Sequence, residues 1–383
     1  MKIAMIGQKG IPSRSGGIEI HVEEIAKRLV QKGCEVDVYC RKSYCDEKQK
    51  TLEGVNTIFT PYINTKRLDA ITHSFTSLIH ALFGHNDIIH FHALGPSTLA
   101  IIAKVLGKKV VCTVHGLDWK RSKWGGFSSR FLKFGEYATA RFAHRTISVS
   151  ESLVDYYREK YKKNVDYIKN GVEIKECVSP ETIREKWGLE SKAYFLYLGR
   201  LVPEKGIHYL IEAYKRLSTD KKLVIAGGSS HSDDYERELH LKAGDNEKII
   251  FTGFVQGRIL EELLSNAFVY VLPSDIEGMP ISLLEAMSYG KLCLASDIEE
   301  NRAVISRYGI TFKHRDIDDL SKKMDMILND EENLNISRST IIEYIKNNFD
   351  WDDAADKTMK LYVELLKKDN KSNVKRKQIG DLY

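Results

Sequence analysis

The sequence lacks the features that mark membrane-spanning, secreted or disulfide-bonded proteins. No run approaches the roughly 18 consecutive apolar residues that a membrane-spanning helix needs. The start, MKIAMIGQKG, turns polar too soon for a secretory signal peptide. The six cysteines are scattered without a C-x-x-C pair, and several lie in strand-like runs such as EVDVYC and KVVCTV, where cysteine acts as a small apolar residue. These absences favour a protein of the reducing cytoplasm.

Several catalytic and cofactor motifs are also missing. The chain has no G-x-S-x-G, no G-x-x-x-x-G-K-[ST] and no Cys/His nucleophile arrangement. His90 and His92 share one strand face, but no third ligand follows at metal-binding spacing, so we expect no metal and no cofactor. The net charge of +5 is mild and predicts a local basic surface rather than nucleic-acid binding.

What the 383 residues do contain is a regular alternation of short apolar runs and longer amphipathic segments. Runs that are apolar throughout and separated by helices predict parallel sheets covered on both faces. One series begins with KIAMIG and a second with YFLYLG, so we expect an α/β protein with two doubly wound domains facing a cleft. The predicted parts are residues 1–178, residues 179–350, a helix over 351–368 and a basic flexible tail over 369–383.

Ligands of doubly wound sheets bind beyond the carboxyl ends of the strands, and the candidate site residues follow strands in this way. Gly16 and Gly17 stand between the first strand and a helix, where free N–H groups favour an anion such as phosphate. A flexible turn remains the plain alternative. A nicotinamide site is disfavoured because the spacing is not G-x-G-x-x-G and the second strand ends YCR, without an acidic residue for a ribose.

Cationic and imidazole side chains follow two other strands. Arg200 and Lys205 lie on the loop after YFLYLG, where two cations suit a pyrophosphate, although solvated side chains are the commoner case. His115 follows KVVCTV and could hydrogen-bond a substrate hydroxyl or orient a leaving group; a lone histidine is more often structural.

The stretch PSDIEGMPISLLEAMSYG places Glu277 after a strand and Glu285 on the following helix. Pro280 suits the first helical turn and Gly290 the position past its end. Free N–H groups at the helix start could take phosphate oxygens; they belong to Ile281, Ser282 and Leu283. Phosphate would repel the two carboxylates, so we interpret them as acceptors for sugar hydroxyls, which predicts a nucleotide-sugar site. Two solvated glutamates are the alternative.

These motifs, in order and spacing, resemble family 4 glycosyltransferases with the GT-B fold over residues 1 to 366; they are GGIEIHVEEIA, GRLVPEKG, IEGMPISLLEAMSYG with its E-x7-E signature, and FDWDDAADKTMKLY. The resemblance implies a retaining enzyme that uses a nucleotide-diphosphate sugar and no metal. It implies that Glu277 holds the donor sugar and Glu285 the ribose, that Arg200 and Lys205 bind the diphosphate, and that His115 contacts the sugar. Further donor contacts implied are Gly16, Gly17, Phe254, Val255, Gly278 and Met279, and the last helix would cross back to the N-terminal domain.

A narrower resemblance is to bacterial rhamnosyltransferases that extend a lipid-pyrophosphate-linked sugar in surface polysaccharide assembly. It rests on IGQKGIPSRSGGIEIHVEE and HGLDWKRSKWGGF. It favours dTDP-rhamnose as donor, whose deoxyribose would offer Glu285 one hydroxyl fewer. Residues 119–145 hold seven Lys or Arg against one acidic residue, Glu136, among several aromatic rings, which suits an anionic membrane surface; an ordinary helix with inward aromatics is the alternative. The predicted acceptor contacts are Asp118, Trp119, Lys120, Arg121 and Lys123, and the predicted location is the inner face of the cell membrane.

Two rival functions remain. A nucleotide-sugar 2-epimerase would share the fold class but would isomerise the donor without an acceptor. A binding module without enzymatic activity, for membranes or nucleic acid, would bind without turnover, although the stacking aromatics of single-strand binders are missing from the strands. The retaining mechanism that we expect is a front-face displacement, since no motif supplies a nucleophile and cations can hold the charge of the departing phosphate.

Overall fold

The protein is described by a computed structural model that covers residues 1–12, 16–46, 48–65, 68–120, 126–229, 233–330 and 336–380, with the last thirteen of these as backbone only. The chain forms two compact units. Unit 1 comprises Met1–Asn170 together with Trp351–Tyr383, and unit 2 comprises Gly171–Asp350. No helix among the described residues is long and apolar enough to cross a membrane.

Unit 1 contains an eight-stranded sheet whose neighbours are parallel except for the pair β3 and β4. The strands are β1 (Lys2–Ile6), β2 (Glu35–Cys40), β3 (Thr51–Leu52), β4 (Val55–Phe59), β5 (Ile88–His92), β6 (Lys109–Val114), β7 (Arg145–Ser148) and β8 (Asp166–Tyr167). Their order is β3-β4-β2-β1-β5-β6-β7-β8, so β1 has β2 on one side and β5 on the other. Strand order therefore reverses beside β1, which is where ligands of such sheets bind.

Helices connect most of the strands of this sheet. They are α1 (Gly17–Gln31), α2 (Asp69–Phe83), α3 (Leu94–Ser97), α4 (Ala100–Val105), α5 (Gly126–Arg141) and α6 (Glu151–Tyr161), with a short 3-10 helix at Asp118–Lys120. Helix α1 shows why they form: Val22, Ile25, Ala26 and Leu29 recur at helical spacing, and all four are buried. It ends two residues before Gly33, whose φ of 84° stops the helix.

Unit 2 contains a six-stranded parallel sheet in the order β11-β10-β9-β12-β13-β14. Its strands are β9 (Tyr194–Leu198), β10 (Lys222–Ala226), β11 (Ile249–Gly253), β12 (Val269–Leu272), β13 (Leu292–Ser296) and β14 (Ile310–Phe312). Its helices are α7 (Thr182–Trp187), α8 (Ile207–Tyr214), α9 (Asp233–Ala243), α10 (Arg258–Asn266), α11 (Ile281–Ser288), α12 (Glu299–Ile305), α13 (Ile317–Asn329) and α14 (Arg338–Asn348), with a 3-10 helix at Pro203–Lys205. The order reverses between β9 and β12, which makes the loops after these two strands the expected ligand-binding place.

The chain passes from unit 1 to unit 2 earlier than the polar composition of residues 175–191 suggested. Asn170 still belongs to unit 1, because its side chain hydrogen-bonds His21 at 2.8 Å. The N–H of Val172 already donates to Phe349 O in unit 2, at 3.0 Å. The polar stretch contains α7, whose first N–H groups are held by the buried carboxylate of Glu262, an acceptor from Glu181 N and Ile183 N at 3.0 Å each.

The last helix, α15 (Trp351–Gly380), belongs to unit 1. It lies against α1, where Arg28 Nε contacts Asp352 and Lys32 Nζ contacts Asp356, each at 2.7 Å. The sequence predicted a helix that ends near residue 368 and a flexible tail, whereas the helix extends to Gly380. Residues 369–379 contain neither proline nor glycine, so nothing in that segment ends the helix earlier.

Candidate functional site

The candidate site of unit 2 lies at the carboxyl ends of β9 and β12, where strand order reverses. The loop after β9 reaches the loop after β12 closely enough to require glycine. A Cβ on Gly206, whose φ is 66°, would stand 2.1 Å from Pro273 O. A Cβ on Gly227, at the end of β10, would stand 1.8 Å from Gly199 O. Backbone therefore packs on backbone around the residues that follow β9.

An ion pair joins these two loops. Lys205 Nζ contacts Glu277 Oε1, and the two side chains are only 15% and 8% exposed. The sequence predicted both residues as site residues but with separate roles, for diphosphate and for sugar hydroxyls. The structure brings them together across 72 residues of chain, so that one carboxylate oxygen of Glu277 is held by the ammonium group.

Arg200 is half-buried at the start of the same loop. Its carbonyl oxygen accepts a hydrogen bond from the hydroxyl of buried Tyr197 at 3.0 Å, which fixes the backbone where the strand ends. Next to it, the buried Tyr270 hydroxyl lies 3.1 Å from Leu198 O and 2.9 Å from Ser282 Oγ. Buried tyrosines of β9 and β12 thus hold the backbone where β9 ends, and Tyr270 also contacts a side chain of α11.

The N-terminus of α11 offers fewer N–H groups than the sequence predicted. The N–H of Leu283 donates to Pro280 O at 3.1 Å and is used inside the first turn, which counts against its role in binding phosphate. For Ile281 and Ser282, no N–H hydrogen bond is found among the described residues. A first turn that closes by an i to i+3 bond takes up the third donor, and two remain for an anion.

Glu285 lies within α11, where burial raises the pKa of its carboxyl to about 7, against a weak opposing effect of the Lys175 ammonium. The sequence predicted an ionised, acceptor-only carboxylate at this place. The carboxyl is instead close to half protonated at neutral pH, so it can donate as well as accept a hydrogen bond.

The other predicted donor contacts of unit 2 follow the strands as expected. Gly278 and Met279 lie on the loop between β12 and α11, with Met279 buried. Phe254 and Val255 follow β11; the phenylalanine is exposed and the valine is buried. A residue that the sequence did not single out, Asp275, also lies after β12, where it pairs with His314 at 2.8 Å and with Arg315 at 3.0 Å.

In unit 1, the predicted phosphate site at Gly16 and Gly17 has a carboxylate beside it. Glu19 Oε2 lies so close to Gly16 that a Cβ on that residue would be 2.3 Å away. Glu19 is buried, and its Oε1 accepts the N–H of Lys9 at 3.0 Å. A carboxylate at this place counts against a phosphate there. Ser13, Arg14 and Ser15, which precede the glycine pair, lie outside the described residues.

A group of histidines occupies the carboxyl edge of the unit 1 sheet. His92 Nδ1 lies 3.3 Å from His115 Nε2, and the ring of His21 stands 4.8 Å from that of His115, centroid to centroid. His21 Nδ1 is in turn 2.8 Å from Asn170 Oδ1. His115 therefore hydrogen-bonds His92 and packs against His21, in a group built from α1, β5 and the residue after β6.

Sequence reasoning missed His21 as the third member of this group. Nitrogen atoms of His21, His92 and His115 all lie within 4.8 Å of one another, a set that could hold a metal ion. Burial lowers the pKa of His21 to about 4, so its imidazole is neutral at physiological pH. The expectation of no metal depended on finding no third ligand, and it stays a prediction.

The predicted acceptor residues Asp118, Trp119 and Lys120 form the 3-10 helix after β6; Arg121 and Lys123 lie outside the described residues. Trp119 donates its indole N–H to Glu136 at 2.5 Å. The carboxylate of Glu136 is fully buried. It also accepts hydrogen bonds from Tyr156, Lys160 and Tyr161, at 3.0, 2.7 and 2.6 Å. The one acidic residue of the basic segment is thus internal, and it positions Trp119.

Two family descriptions divide this chain between them. Residues 15–176 match Glycosyltransferase Family 4, and residues 179–348 match Glycosyl transferases group 1. Each matched region corresponds to one of the two α/β units. The chain therefore belongs to the GT-B glycosyltransferases. The prediction of two doubly wound domains of the GT-B class is confirmed.

Similar proteins carry glycosyltransferase names. An uncharacterized glycosyltransferase of Methanocaldococcus jannaschii is 28% identical over 94% of this chain and 98% of its own length. UDP-Gal:alpha-D-GlcNAc-diphosphoundecaprenol alpha-1,3-galactosyltransferase of Escherichia coli is also 28% identical, over 73% of this chain and 76% of its own. Among solved structures, sucrose-phosphate synthase of Thermosynechococcus elongatus has a TM-score of 0.82 at 21% identity and covers 95% of this chain and 99% of its own. HepE of Anabaena in complex with UDP and glucose has a TM-score of 0.78 at 19% identity, over 95% and 100%.

Proposed function

We propose that this glycosyltransferase moves a sugar from a nucleoside-diphosphate sugar to a lipid-linked saccharide in surface polysaccharide synthesis, with retention of the anomeric configuration. The observation that carries the donor half of the proposal is the Lys205–Glu277 ion pair at the reversal point of the unit 2 sheet. A cation and a carboxylate in contact suit a ligand that presents phosphate and hydroxyl groups side by side.

The diphosphate would be held by Lys205 and Arg200 and by the N–H groups of Ile281 and Ser282. These donors place positive charge where the leaving group becomes negative, which lowers the barrier to departure. Glu277 would accept sugar hydroxyls through the oxygen that Lys205 does not hold. In a front-face displacement the departing phosphate takes the proton of the attacking hydroxyl, so no protein nucleophile is needed and no metal is required.

Glu285 would contact the pentose of the donor nucleoside. A carboxyl whose pKa is about 7 can serve a single hydroxyl as donor or acceptor. That capacity suits the single free hydroxyl of a deoxyribose and supports the narrower proposal that the donor is dTDP-rhamnose. His115 would present an imidazole nitrogen to a sugar hydroxyl, oriented by its contact with His92.

The acceptor half is supported by the name of the Escherichia coli relative, which specifies a diphosphoundecaprenol-linked acceptor. In unit 1 the ammonium groups of Lys120 and Lys133 lie 5.9 and 4.8 Å from the centre of the Trp119 ring. Among the described residues neither lysine makes an ion pair, so both charges are available to acceptor phosphates or anionic headgroups. We therefore propose peripheral attachment to an anionic membrane surface.

The test is a donor screen with purified protein and two acceptors, a saccharide on a lipid diphosphate and the same saccharide on a short water-soluble aglycone. We expect transfer from dTDP-rhamnose and a preference for the lipid-linked acceptor. We also expect NMR to show that the anomeric configuration of the new linkage is the same as that of the donor. Transfer from another nucleotide sugar alone would remove the rhamnosyl proposal. An isomerised donor in the absence of acceptor would identify an epimerase instead.

A further inference from the structure

Unit 1 exposes a strip of apolar side chains along helix α2. In α2, Ile71, Phe75, Ile79 and Phe83 recur at every fourth position, and each is more than 40% exposed. The helix carries no lysine, arginine or glutamate. Residues four apart lie on one face of a helix, so these side chains form a continuous apolar strip at the surface. Exposed strips of this kind mark binding surfaces.

The strip borders a groove of about 580 Å³, within the range of small-molecule sites. Besides the loop after β4, it is lined by α2 with Ile71 and Phe75, by Gly95 of α3, by Leu99 just before α4, and by Phe131 of α5. None of its twelve lining residues has a charged side chain; they are apolar or hydroxyl-bearing residues and one glycine. A groove of this composition selects an apolar ligand.

One lining residue of the groove, Gly95, lies near the carboxyl end of β5, where we propose that the acceptor binds. Gly95 lies three residues past His92, the last residue of β5, and His92 contacts His115. On α5, Phe127, Arg130, Phe131 and Phe134 occupy one face at helical spacing, with Phe127 82% exposed. Arg130 makes no ion pair among the described residues, so one cation stands beside the aromatic wall. An apolar trough with a cation at its side suits an apolar chain that ends in phosphate.

We propose that this groove binds the isoprenoid chain of the lipid-diphosphate acceptor. This inference rests on the proposed function and adds to it a binding site in unit 1 for the isoprenoid chain. Gly95 has a role in it: a Cβ at that position would meet only Leu132 Cδ2 at 3.8 Å, so the glycine keeps the groove open without being required by the backbone.

The test measures binding of geranylgeranyl diphosphate by equilibrium dialysis, beside inorganic diphosphate and vesicles of phosphatidylglycerol. Two variants change the groove independently: Ile71→Gln with Phe75→Gln removes apolar wall, and Gly95→Leu fills the groove. Phe83→Gln is the matched control, because it removes an exposed aromatic ring of the same helix outside the groove. Thermal melts establish that each variant folds.

We expect wild-type protein to bind the isoprenoid diphosphate at least about tenfold more tightly than inorganic diphosphate, and both groove variants to lose about tenfold in affinity, as for one or two lost apolar side-chain contacts. The Phe83 variant should bind as the wild type does. Unchanged affinity in both groove variants overturns the proposal. The proposal is also overturned if the Phe83 variant and the groove variants lose equal affinity for the isoprenoid diphosphate and equal affinity for vesicles. That result would show that this face of the helix contacts a bilayer. The binding assay needs no sugar donor, so it tests the groove separately from the reaction. If the protein binds the isoprenoid diphosphate but transfers no sugar from any donor, the proposed function is contradicted and the groove assignment stands.

Discussion

Replacing Glu277 by glutamine is the most informative single change at the proposed donor site. The side chain keeps its size, but the carboxylate that contacts Lys205 becomes a neutral amide. The variant loses the charge-assisted contact with the ammonium and a strong acceptor for hydroxyls, and the amide brings two donors of its own. The two effects act on the same ligand, since the lysine is assigned to its phosphate and the glutamate to its sugar.

The expected loss follows from the value of one charge-assisted hydrogen bond in a mostly buried place, about 1.5–3 kcal/mol. That corresponds to a decrease of roughly 10- to 150-fold in kcat/KM, because each 1.36 kcal/mol is a factor of ten. The assay is initial-rate transfer at subsaturating donor, with a thermal melt for each protein. Glu212→Gln is the matched control, since Glu212 pairs with Lys242 at 2.6 Å on the same unit but outside the site.

A double variant tests whether the two residues act as one device. If Lys205→Met and Glu277→Gln each remove the same paired arrangement, their combination should cost little more than the worse single change, because contacting residues are not additive. Additive losses would mean independent roles. Turnover of the Glu277 variant within twofold of wild type, with intact folding, would refute the assignment of Glu277 to the site.

Three further outcomes are expected. Arg200→Ala and Lys205→Ala should each weaken nucleoside-diphosphate binding by about tenfold or more in calorimetry while nucleoside binding changes little; equal losses for both ligands would contradict the diphosphate assignment. A chelator should leave transfer unchanged, and a loss that zinc or magnesium restores would point to the histidine group of unit 1. Glu285→Gln should make the free energy of unfolding less dependent on pH. In the wild type the carboxyl has a pKa of about 7 when folded against an ordinary 4.5, so the folded state binds the proton more tightly than the unfolded state. The wild type therefore loses up to roughly 3 kcal/mol of unfolding free energy as pH rises from 4.5 to 7, and the variant should not. An equal slope in both proteins over that range would show that the carboxyl is not buried.

Local patterns predicted the elements better than they predicted the contacts between them. The runs KIAMIG and YFLYLG became β1 and β9, and the helix after Gly17 became α1, because apolar periodicity reports burial directly. The loops after β9 and β12 could be predicted as candidate site loops, because each follows a strand. The apolar strip on α2 could also have been predicted, because apolar residues recur at every fourth position from Ile71 to Phe83.

The misses concern residues that are distant in sequence or whose chemistry depends on burial. Lys205 and Glu277 are 72 positions apart, and no spacing rule pairs them. His21 joins His92 and His115 only because α1 and two strands converge at one sheet edge. The protonation of Glu285 is a property of its surroundings in α11, and a sequence carries no measure of desolvation.

The return of α15 to unit 1 has a consequence for how the chain is made. About 180 residues of unit 2 are translated between Asn170 and Trp351, which takes roughly 10–40 s at common elongation rates. Until then the first unit lacks Tyr362, whose hydroxyl is 2.6 Å from His90 Nδ1, and it lacks Asp352 and Asp356, which pair with Arg28 and Lys32. Unit 2 is one uninterrupted segment, so all of its residues are synthesised before those of the last helix of unit 1. A nascent chain that ends before Trp351 would therefore contain every residue of unit 2 but lack the helix that completes unit 1.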